Sequence, residues 1–130
     1  MAVDYGEKRI GIALSDPMRM FAKPFVVVPN TENYLHEISK IVEEENVQKI
    51  VLGLPLNLKG EDSQKTKEVR VEYEKFNDFF SIPVILWDER FTTVEANEIL
   101  KKQKYSVKDA RKVVDKLAAS LILKSYLDNN

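Results

Sequence analysis

Three aspartates, Asp4, Asp88 and Asp115, stand where a chain with little other metal-binding chemistry could build a hydrolytic site. Asp4 follows the short apolar run Ala2-Val3 and opens a turn containing Gly6 and carrying Lys8 and Arg9. Asp88 ends the apolar run 83–87. A carboxylate held at a strand end, rather than on a mobile loop, can bind Mg²⁺. Asp followed closely by Gly is equally ordinary turn chemistry, so on this stretch alone both readings of Asp4 stand. The chain has no Cys and one His, His36. That excludes disulfides, thiolate zinc sites and His-based triads, and any metal would have to be hard and oxygen-ligated. Carboxylates drawn from distant segments could hold two Mg²⁺ or Mn²⁺ ions roughly 3.5–4 Å apart, activating water and stabilising the leaving oxygen in phosphodiester cleavage.

Asp115 is the most informative of the three. It precedes Ala118, Ala119 and Ile122 by three, four and seven residues, so on a helix it shares a face with part of the apolar stripe. A charge there is costly unless paired or bound to a cation. Lys112 and Lys116 offer local ion pairs as the plainer account.

Such a site needs cations to hold a nucleic-acid backbone. Lys8, Arg9, Arg90 and the stretch 101–116, Lys112 included, could supply them. Seven cations and two acids give that stretch a charge of +5 in a chain of net charge −1, leaving −6 elsewhere. The asymmetry fits a polyanion approaching one side, although a solvated lysine-rich helix face would look the same. Arg90 could also pair with Asp88 or Glu89.

The positioning elements follow from hydrophobic periodicity. At 130 residues the chain fits one domain with one core, residues 1–130. Residues 10–14 alternate with Gly11 and Ala13, a strand against which something packs closely. Residues 21–28 form a third strand, with Pro24 implying an edge position. Short turns make these three an antiparallel meander. A helix capped by Thr31 is expected to about Glu45, with His36 off its apolar stripe. The continuous apolar runs 49–54 and 83–88 read as buried parallel strands. Between them lies a helix capped by Asp62 or Ser63, with Val69, Tyr73, Phe76 and Phe80 inward. Thr92 and Glu95 have capping-box spacing for a helix to about Gln103, and a last helix runs to about Tyr126. Ligands gather beyond the carboxyl ends of such strands, where Asp4, Asp88 and the loop from Pro55 would emerge together. No run approaches membrane-spanning length and no signal-peptide pattern opens the chain, so the cytoplasm is expected.

The blocks DYGEKRIGIALSDP (4–17), IVLGLPLNLKG (50–60), DERFTTVEA (88–96) and DKLAASLILKSYLD (115–128) resemble, in order, the YqgF or RuvX family of the RNase H-like superfamily. The resemblance implies an α/β RNase H-like fold: a five-stranded mixed sheet, three strands antiparallel and two parallel, with helices on both faces. It implies a cytoplasmic metal-dependent nuclease using Mg²⁺ or Mn²⁺ on nucleic acid. The substrate would be pre-16S rRNA during 5′ maturation, or a Holliday junction. A ribosome-assembly module that binds RNA without cutting it is a further reading. Carried over by position, Asp4, Asp88 and Asp115 would be the catalytic metal ligands, with Lys8, Arg9 and Arg90 as matched basic positions. Glu89 is the alternative to Asp88, because one residue of strand register decides which of them faces the site. The block 50–60 lacks the carboxylate that related resolvases place near the end of that strand.

Overall fold

Gly6 makes the first reversal possible: a Cβ there would overlap the Arg9 carbonyl. The turn joins β1 (Ala2–Tyr5) to β2 (Arg9–Ser15), and β3 (Ala22–Pro29) follows antiparallel to β2. Asn30 secures the turn, its side-chain amide donating to the Gly6 carbonyl at 2.8 Å and its backbone N–H to that of Lys8 at 3.0 Å. After α1 (Tyr34–Glu44), β4 (Ile50–Leu54) returns parallel to β1. Then α2 (Gln64–Phe79) leads to β5 (Val84–Asp88), parallel to β4, and α3 (Val107–Asp128) closes the chain. The computed structural model describes residues 1–57, 59–89 and 107–130, with side chains in the last stretch from residue 117. The helix expected over 92–103 lies outside the described residues.

The sheet order is β3-β2-β1-β4-β5, the expected meander plus two parallel strands. Pro24 sits on edge strand β3 where the β2–β3 register shifts, so its missing N–H leaves no central ladder broken. Alternation divides the strands between two apolar layers. Val3, Ile10, Ile12, Ile50, Leu52, Leu54 and Val84 join Tyr34, Ile38, Val69 and Phe76 of α1 and α2 on one face. Ala2, Ala13 and Val51 meet Ala119, Ile122 and Leu123 of α3 on the other. The small residues Ala13 and Ala119 let α3 lie close across β1, β2 and β3, as the spacing in β2 predicts.

Two helix starts differ from the sequence reading or sharpen it. Thr31 does not cap α1; its hydroxyl accepts from the Asn33 N–H in a turn, and Asn33 is the N-cap without a side-chain bond. Of the two candidates for α2, Ser63 is the cap. It accepts from the Thr66 N–H at 3.2 Å, and the Thr66 hydroxyl accepts from the Ser63 N–H at 2.9 Å. Asp62 instead pairs with Arg70. No described helix is long and apolar enough to cross a membrane.

Candidate functional site

The strand register decides which acids can meet. Ala2 pairs with Val51 and Val3 with Leu52, so the next step up the sheet sets Asp4 beside Gly53. On its other flank Asp4 is paired with Gly11. Ala2 belongs to the α3 layer, and alternation returns Asp4 to that same face, between two residues without side chains. Along β5, Leu86 belongs to the α1–α2 layer and Trp87 to the α3 layer, so Asp88 falls on the α1–α2 side and Glu89 on the side of Asp4. Burial agrees: Asp88 is exposed, whereas Glu89 is 8% exposed.

Glu89 is fixed from below. Its backbone N–H donates to the Leu54 carbonyl at 3.2 Å, tying it to the end of β4. Its carboxylate turns back over the sheet to lie against Gly53, with the Ile122 side chain of α3 beside it. Burial pushes the carboxyl up to about 8, and the negative charge of Asp4 adds to the rise; Lys65 acts in the opposite sense and Asp88 raises it slightly further. Asp4 and Glu89 are thus near enough to repel across a poorly solvated gap.

Lys65 was not singled out by the sequence, where it is one lysine among several in a polar helix. It lies in the first turn of α2, which is seated at the same rim because the Thr66 hydroxyl donates to the Pro55 carbonyl. Thr66 is fully buried for that purpose. The Pro55 loop is braced as well, the Asn57 side chain accepting from the N–H groups of Lys59 and Glu61 at 3.0 and 2.9 Å.

Of the sequence-predicted residues, Asp4 is half-buried at the end of β1, and Lys8 and Arg9 rise from the turn at the same edge, Lys8 exposed and Arg9 half-buried. Asp88 is at that edge on the opposite face. Asp115 and Lys112 lie in the first half of α3, with their side chains outside the described residues. Arg90 lies outside them altogether. His36 is an exposed residue of α1 with no part in the site.

Two oxygen-donor acids that repel each other, with no thiolate or imidazole beside them among the described residues, suit Mg²⁺ or Mn²⁺, which would neutralise both. No group of three or more possible ligands forms among the described residues, so the described donors are this pair. A hollow of about 960 Å³ lies at the other edge of the sheet, between Asp16, Arg19, Gln48, Lys49 and Tyr126, and touches neither acid. Buried Glu72 is a different case: it accepts from the Tyr34 hydroxyl and pairs with Lys75, joining α1 to α2 as a structural contact.

Comparison with known proteins gives a consistent picture. The family model "RuvX: Holliday junction resolvase" matches residues 1–129. A protein of Syntrophus aciditrophicus named "Putative pre-16S rRNA nuclease" is 42% identical over 98% of this chain and 87% of its own length. One of the same name from Dictyoglomus turgidum is 37% identical over 99% of this chain and 93% of its own. Among solved structures, the fowlpox virus Holliday junction resolvase superposes with a TM-score of 0.54 at 16% identity, covering 98% of this chain and 97% of that one. The resolvase in complex with its junction DNA gives 0.53 at 17% identity, covering 98% and 95%. At that identity the likeness speaks for the fold, which is RNase H-like.

Proposed function

The chain belongs to the RuvX family, and from that premise we propose that it is a divalent-metal-dependent endonuclease that cuts pre-16S rRNA in its 5′ maturation, in the cytoplasm. Membership makes it a phosphodiester hydrolase acting on nucleic acid. The observation that carries the finer reading is the pairing of Asp4 with Glu89 on the α3 face, at the carboxyl ends of parallel strands.

In this account Asp4 and Glu89 hold Mg²⁺ or Mn²⁺, and Asp115, one to two turns before Ala119 and Ile122 on α3, is the third ligand. The bound cation supplies an activated water and charge neutralisation at the leaving oxygen. Glu89, whose carboxyl burial and Asp4 raise to about 8, would hold the cation as a carboxylate, so metal affinity would rise with pH. Lys8 and Arg9, with Arg90 and Lys112, hold phosphates on either side of the scissile bond and fix its register. Lys65 keeps Glu89 from becoming more basic still. Asp88, on the opposite face, takes no part in this account, and Glu89 stands in its place.

A four-way DNA junction is the second reading, favoured by the description of the matching family model. One assay separates the two. The wild-type protein, Asp4→Asn and Glu89→Gln are incubated with Mn²⁺ and either a 16S rRNA precursor or a four-way junction. Cleavage of the precursor is expected, reduced on the order of 100-fold or more in both variants. Full activity in folded Asp4→Asn would defeat the metal-site reading. Preference for the junction would keep the site and change the substrate.

A further inference from the structure

Gly53 is the fourth of five residues in a buried strand whose other members are Ile, Val and Leu. Glycine weakens a strand interior, so its presence calls for a local reason. Two neighbours supply one. A Cβ built on Gly53 would run into the Glu89 carboxylate oxygen and, at 2.5 Å, into Cδ1 of Ile122. The first is the acid that faces Asp4. The second belongs to α3, seven residues beyond Asp115. By register Gly53 also lies directly beside Asp4.

We propose that Gly53 is a positioning residue: the space left by its missing side chain is where the Glu89 carboxylate lies against the sheet beside Asp4, and the same space sets how closely α3 approaches at Ile122. One glycine therefore gauges two distances at once, from the β5 acid to Asp4 and from the sheet to the helix that carries Asp115. Any side chain at position 53 lifts Glu89 off the sheet. Its backbone N–H, tied to Leu54, holds the residue at the rim while the carboxylate swings towards solvent.

The inference rests on the metal-site reading of Asp4 and Glu89, and the test separates the two. A purely structural role would make Gly53 a helix-packing residue, with the Ile122 contact as its whole effect. Gly53→Ala and Gly53→Ala/Ile122→Val are compared with wild type. The double variant removes Cδ1 and with it the helix contact, but leaves the contact with Glu89. Melting temperature reports folding, electron paramagnetic resonance of free Mn²⁺ reports metal affinity, and cleavage kinetics separate kcat from KM.

Positioning predicts that the double variant melts close to wild type yet binds Mn²⁺ about tenfold or more weakly, with kcat reduced and the KM for nucleic acid unchanged. Recovery of wild-type Mn²⁺ affinity in the double variant would overturn the proposal and leave packing as the role of Gly53. Glu89→Gln is the companion measurement. If it binds Mn²⁺ like wild type, the metal-site reading fails and this inference with it; if it loses Mn²⁺ while Gly53→Ala does not, only this inference fails.

Discussion

Burial and the neighbouring Asp4 raise the Glu89 carboxyl from an ordinary 4.5 to about 8. In the folded, metal-free protein Glu89 therefore holds its proton more tightly than in the unfolded chain. Its contribution to stability is complete below the unfolded value and is lost as pH rises through the folded one. The melting temperature of metal-free protein should thus fall between about pH 5 and pH 8 by several degrees more than that of Glu89→Gln. Calorimetry across that range checks it, and parallel curves for the two proteins would contradict it. Lys65 acts in the opposite sense, so in Lys65→Ala the fall should extend to higher pH. Glu89 was named beforehand only as the alternative to Asp88, and nothing in the sequence marked Lys65 or Gly53. Lys65 is one lysine among several in a polar helix, and Gly53 is one member of an apolar run.

The elements that bring these residues together were largely written in the sequence, because periodicity and turn chemistry are local. Gly6 and Pro24 placed a turn and an edge, and the runs 49–54 and 83–88 announced parallel strands. The choice between Asp88 and Glu89 was not local. It depends on the residue at which β5 stops pairing with β4, and a shift of one exchanges the faces. The cap of α1 was misplaced for a similar reason: Thr31 found an N–H two residues on in a turn before any helix began. At α2 the signal was stronger, since Ser63 and Thr66 satisfy each other reciprocally. Ser63→Ala should cost about 1 kcal/mol, measurable by urea unfolding, and should speed amide exchange in the first turn of α2. Unchanged stability would mean that the Thr66–Pro55 contact alone seats the helix.

At the scale of the whole molecule, the sheet acts as a frame with the acids at one edge. Asp4 and Glu89 reach that edge from β1 and from the end of β5, and α3 packs across the same face with Ile122 beside the Glu89 carboxylate. The cation-rich stretch 101–116 is the sequence's counterweight to an otherwise acidic chain, suited to a polyanionic substrate. The central claim is that Asp4 and Glu89 share one divalent cation on the α3 face. Anomalous scattering from a crystal soaked in Mn²⁺ tests it most directly. The account predicts a peak about 2.0–2.3 Å from an oxygen of each of these two carboxylates. A peak held by Asp88 on the opposite face, with Glu89 still lying dry against Gly53, would contradict it.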